Sequence, residues 1–216
     1  MTLNVRQIAA VLRNRTAVST IEFALVLPVF MILGMYGAEI AWMNASALEA
    51  SQVAVALADN ASRLGQTDNS GVTPTITGAD IVSVLTGAIE EGKNIGLNGD
   101  GRVILSSLET HAVTGKQYVH WQHCMGSLKK DSAHGKPDLT GSALSAIASG
   151  LAIGKTKITA PAGSAVMVAE VWYKHKGLFG TMFIQPITMH EESAVIVRDN
   201  RNLTTGISNS NPSTNC

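Results

Sequence analysis

The chain has 216 residues and zero formal net charge, with 15% charged against 45% hydrophobic residues and a mean hydropathy of +0.18. That length holds one domain and an appendage. So little charge is unusual for a soluble domain, and no basic patch with interleaved aromatics occurs, which excludes nucleic acid as the expected partner.

The charge is unevenly placed. Arg6, Arg13 and Arg15 all come before the first acidic residue, Glu22, and from Phe23 to Ala38 there is no charge at all until Glu39. The apolar run Ile21–Met43 is about 23 residues, roughly 34 Å as helix, which matches a bilayer core. A basic flank on its N-terminal side predicts a cytoplasmic N-terminus and an external remainder. Three readings fit such a segment. A secretory signal peptide would use the small residues "ASA" at 45–47 as its cleavage site, but Glu22, Glu39 and the length of the run argue against it. A plain anchor would place Glu22 at the cytoplasmic interface. A prepilin-type segment loses a short basic leader before the apolar run and keeps the helix as an assembly stem. Its carboxylate then pairs with the new α-amine of a neighbouring subunit. An unpaired carboxylate at the bilayer centre costs about 2.5–3.5 kcal/mol, so the pair gives the charge a use.

The stretch "RTAVSTIEFALVLP" (15–28) resembles the N-terminus of TadE/TadG-like proteins, the pseudopilins of the tight-adherence (Flp, type IVc) pilus machinery. These typically read R-R-G, three small residues, then V-E-F-A-L-V-L-P. The resemblance implies a processing site between Ala17 and Val18, with Ala17 standing where the family usually has Gly. Glu22 becomes the fifth mature residue and the charge-compensating group, with Phe23 after it. "YVHWQHCMG" (118–126), "APAGSAVMVAEVWY" (160–173), "AVIVRDNRNL" (194–203) and Cys216 look like the periplasmic part of such proteins and occur in the expected order. The partners so implied are a prepilin peptidase, other Tad pseudopilins, the inner-membrane platform and the assembly ATPase.

Beyond the apolar run, the chain continues to Gly65 without Gly or Pro after Gly37 and is rich in Ala and Leu, good helix formers. One helix over 18–64 is predicted, half in lipid and half on a head. Its small residues Ala45, Ala47, Ala50, Ala54, Ala58 and Ala61 allow close helix approach. Gly65 is the candidate C-cap, and Pro28 a site of local loosening. Residues 65–78 read as a turn-rich loop. A helix is predicted over 79–92 from Ile81, Val82, Leu85, Ala88 and Ile89 at helical spacing, with Thr77 or Asp80 as its cap. Strands are predicted at 101–113, 116–124, 164–175 and 187–199. Residues 131–150 read as loop with a short helix, and the tail as polar. Cys124 and Cys216 are the only cysteines. On the external side an even pair favours a disulfide over two free thiols. It would tether the tail by closing a loop worth about 2–4 kcal/mol.

A search for catalytic chemistry returns little. On a regular strand, His120 and Cys124 of "HWQHC" share a face and His123 points away, which is poor geometry for a metal. His111, His134, His175 and His190 have no partner at ligand spacing. "HEES" (190–193) lacks the second histidine of H-E-x-x-H, no G-x-S-x-G elbow occurs, and Gly-rich "GLNGDG" (96–101) reads as turn chemistry. No enzyme, metal or cofactor is therefore expected.

The expectation is an α+β, pilin-like protein: a basic cytoplasmic leader (1–17), a transmembrane and stem helix (18–64), and a periplasmic head with an antiparallel sheet (65–216). Its function would be assembly of a Tad pilus by helix packing, from the bacterial inner membrane. Two alternatives stand beside it. One is an unprocessed, membrane-anchored periplasmic binding module. The other is a secreted enzyme released near Ala47.

Overall fold

The computed structural model describes residues 15–65, 73–137, 150–198, 201–203 and Cys216. The predicted leader up to residue 14, most of the loop after Gly65, residues 138–149 of the segment read as loop with a short helix, and most of the polar tail lie outside them.

Helix α1, Arg15–Ser62, is 48 residues long, or about 72 Å. Pro28 lies inside it; having no N–H, it costs one rung of the hydrogen-bond ladder without ending the helix. Side chains from Val18 to Leu33 are exposed, and the helix is long and apolar enough to cross a membrane. From Ala50 on the pattern changes. Ala50, Val53, Ala54, Leu57, Ala58 and Ala61 are buried, following the three- and four-residue steps of one helix face.

The chain divides into two compact units, and the division falls within α1. The first is the helix through Asn44 with the loop Lys176–Gln185; the second runs over Ala45–His175 and Pro186–Cys216.

In the second unit, α2 (Gly78–Glu91) opens with a capping box. The Asp80 N–H donates to Thr77 Oγ1 (3.3 Å) and the Thr77 N–H donates to Asp80 Oδ2 (2.9 Å). Both expected caps therefore act, each satisfying an orphan donor of the first turn. A 3-10 turn (Gly92–Ile95) and a short α3 (Leu97–Asp100) lead into β1 (Gly101–Thr110). Then follow β2 (Gln117–Met125), β3 (Leu151–Ile153), β4 (Thr156–Ile158), β5 (Ala165–His175) and β6 (Ile187–Ile196). The four long strands, all anticipated, form one antiparallel sheet in the order β2-β1-β5-β6. The hairpin β3–β4 was not anticipated; it forms a separate two-stranded sheet.

One sheet face carries Val103, Leu105, Ala165, Met167, Ala169, Val171 and Tyr173, which form a single core with the alanine stripe of α1 and with Ile81 and Leu85 of α2. Alanines line the buried face of the helix, and the larger side chains of the sheet and of α2 fill the core beside them. On the other face, Leu108, Val119, Val166 and Val168 pack with Leu151 and Ala160. The last turn of α1 is closed from a distance. Arg201 Nη2 donates to the carbonyls of Ala61, Ser62 and Leu64 at 3.1, 3.2 and 2.7 Å, satisfying orphan acceptors and complementing the negative helix end. Gly65 follows with a φ of +79°.

Candidate functional site

The sequence-predicted site residues divide between α1 and β2. Val18, Glu22 and Phe23 are exposed on α1, and the Ala17–Val18 bond lies within the helix. Val18 and Glu22 stand four residues apart, so they share one face.

Glu39 behaves differently from Glu22. It is fully buried, and its carboxylate accepts two backbone hydrogen bonds from the loop after β5: Leu178 N–H to Oε1 and Phe179 N–H to Oε2, both 3.1 Å. Such charge-assisted bonds are the strong class. Gly177 is required beside them, because a Cβ there would come within 2.7 Å of Glu39 Oε1. Phe183 packs edge-on against Tyr36 and Phe179, with ring centroids 6.0 Å apart in each pair. Both Glu39 oxygens are thus engaged within the chain.

Cys124 and Cys216 are joined in a disulfide, Cα–Cα 5.8 Å. Arg102 Nη2 lies 2.8 Å from Cys124 Sγ. The facing predicted for "HWQHC" is corrected by a β-bulge. Ser107 pairs with Trp121 but Leu108 pairs with Val119, leaving His120 as the extra residue. The alternation slips there. His120 Nδ1 therefore meets Glu109 Oε2 at 2.9 Å, on the face of Trp121 and His123, while Cys124 lies on the other. His123 is buried, and burial pushes its pKa down to about 4 from 6.5.

A polar cluster on the second sheet face was not anticipated. Register places Glu170 of β5 directly opposite Glu192 of β6 and Trp172 opposite His190. His134, from the loop after β2, joins them. His134 Nε2 lies 3.0 Å from Glu192 Oε1, and His190 Nε2 lies 3.3 Å from both Glu192 Oε1 and Glu170 Oε2. Glu170 also accepts from the Ser132 hydroxyl and from the Ala133 N–H (2.8 Å). Glu192 Oε2 accepts from the Gly154 N–H in the β3–β4 turn (3.4 Å). The His190 ring stacks on Trp172 at 3.7 Å, with Lys130 Nζ 5.4 Å from the Trp172 ring centre. Burial pushes the Glu170 carboxyl up, but His190, the Ser132 hydroxyl, the Ala133 N–H and the charge of His134 outweigh it, and the net shift is downward. Neighbouring Glu191 moves up: burial is the largest cause, His190 pulls the other way, and the charge of Glu192 adds to the rise. The sequence held one signal for this cluster: a lone carboxylate, Glu170, inside the apolar strand "AVMVAEVW" (165–172).

Comparison with known proteins yields no matching family model, curated protein or solved structure.

Proposed function

We propose that this chain is a pseudopilin-like assembly component of a Tad (Flp) type pilus, anchored by α1 in the bacterial inner membrane with its head in the periplasm. One observation carries the reading. An apolar helix with outward-facing side chains, headed by Glu22, runs without interruption into an alanine stripe that packs on an antiparallel sheet. Helix surface that is solvated neither by its own domain nor comfortably by water suits lipid first and neighbouring stems afterwards. Glu22 is the exposed carboxylate of that surface, while Glu39 is committed to its own chain. In this reading Glu22 pairs with the α-amine created at Val18 of an adjacent subunit, fixing the stagger between stems. The prepilin peptidase, other pseudopilins and the assembly platform are the partners.

A second reading, an unprocessed single-pass anchor carrying a periplasmic binding module, draws on the helical state of the Ala17–Val18 bond, because a peptidase needs its scissile segment extended. N-terminal sequencing and intact mass of the chain from native membranes, with and without the peptidase, separate the two. Assembly after processing gives a chain beginning at Val18 only when the peptidase is present. Retention of residues before Val18 in both samples discards it in favour of the anchor.

A further inference from the structure

We propose that His134, Glu170 and Glu192 form a binding site for a divalent transition-metal ion of the zinc class, which clasps the loop after β2 to strands β5 and β6. The inference does not depend on the pilus reading.

Distances come first. One ligand atom from each of the three residues can be chosen so that all lie within 4.8 Å of one another. Zinc held by imidazole and carboxylate at 2.0–2.2 Å in a tetrahedron needs donors about 3.3–3.5 Å apart. The His134 to Glu192 approach of 3.0 Å is slightly inside that spacing, and the 4.8 Å bound on the set leaves small side-chain adjustments to close it.

The second observation is an orphan. The His134 side chain is 7% exposed, and its Nε2 is buried within 3.0 Å of Glu192 Oε1, yet it makes no aligned hydrogen bond among the described residues. Nε2 of His190 is in the same condition. A ring nitrogen close to a carboxylate oxygen without an aligned hydrogen bond to it is free to offer its lone pair to an ion that the same carboxylate binds. Leaving such a buried atom unpaired is costly.

Charge is the third. Two carboxylates directly opposite on adjacent strands repel, and here one is fully buried and the other largely so. A dication balances both while the imidazoles stay neutral. One imidazole with two carboxylates suits zinc-class ions, whereas calcium and magnesium prefer oxygen-only sets. The carboxylates are also held in place: Ser132 and the Ala133 N–H donate to Glu170, the Gly154 N–H donates to Glu192, and His190, braced by Trp172, approaches an oxygen of each. Outer partners of this kind fix ligand orientation. The donors come from three segments distant in sequence, so the ion's effect is to fasten them.

The test uses the full chain in detergent, stripped with chelator and titrated with zinc chloride at neutral pH. The expected result is one zinc ion per chain. His134→Ala and Glu192→Gln each weaken binding by about 100-fold or more, while His111→Ala, outside the cluster, leaves it unchanged. Folding of each variant is checked by circular dichroism without metal. Should a variant misfold, cobalt(II) substituted into the wild-type chain decides. Intense visible bands of a four- or five-coordinate ion support the site, and the weak spectrum of hydrated cobalt overturns it. Failure of the folded wild-type chain to take up zinc at micromolar concentration also overturns it, as does unaltered affinity in folded Glu192→Gln.

Discussion

Glu22 and Glu39 sit on one helix, yet Glu22 faces outward while Glu39 is enclosed and bonded to two backbone amides. A carboxylate with no exposed surface cannot meet a partner without the loop first opening, whereas Glu22 is accessible as it stands. His123 shows how much a single buried group contributes to acid sensitivity. Its folded pKa, about 4, lies below the unfolded value near 6.5, so the unfolded chain binds the proton more readily. Its contribution to stability is complete above pH 6.5, shrinks as pH falls toward 4, and is constant below. Replacing it with a ring that cannot ionise, His123→Phe, should flatten the melting temperature against pH in that window by up to one proton's worth of slope. An unchanged profile in the variant would assign the sensitivity elsewhere.

At the scale of elements, the Glu39 carboxylate and the packing of Phe183 on Tyr36 both fasten the loop Lys176–Gln185 to α1. Glu39→Ala removes both acceptors, and the amides of Leu178 and Phe179 should exchange hydrogen at least about tenfold faster, the equivalent of about 1.4 kcal/mol for charge-assisted bonds. Glu39→Gln keeps one acceptor and should fall between. Equal exchange rates in all three chains would mean that the aromatic contacts of Phe183, not Glu39, hold the loop. The same scale shows what the sequence made legible. Long elements announced themselves: the alternating β-branched residues of β5 and β6, and the helical spacing of Ile81, Leu85, Ala88 and Ile89. The β3–β4 hairpin did not, because strands of three residues carry too little periodicity, although "LAIGKTKI" (151–158) holds a two-residue Gly-Lys turn. The facing of His120 was misread because a bulge adds one residue to one strand and leaves no mark in the alternation.

Across the whole molecule, the second unit is bound by a bridge spanning 92 residues of sequence. A link of that reach is worth about 4–5 kcal/mol in the chain-entropy account, and disulfides typically deliver about 2–4 kcal/mol of such a value. Cys124→Ser or added reductant should therefore lower the melting temperature of this unit by several degrees. Superimposable oxidised and reduced melting curves would show that the bridge constrains nothing. The pair of cysteines was readable from composition, whereas the His134–Glu170–Glu192 cluster was not. It exists only because β5 and β6 pair in one register and a loop from β2 crosses over them, and no local pattern records such a meeting.

The strand order also sets a calendar for biogenesis. β1 and β5 are neighbours at the centre of the sheet, with Gly101 opposite Tyr173. A ribosome that has just completed the β1–β2 hairpin has not yet made the strand that covers its inner edge. Until synthesis passes His175, β1 offers an unpaired edge, and the α1 stripe awaits the β5 side chains of its core. Edges of this kind recruit other chains. Alanine softens the exposure, since a waiting stripe of Ala50, Ala54, Ala58 and Ala61 presents far less apolar area than leucines would. The small residues that line the finished core are thus the ones that keep the unfinished chain tractable.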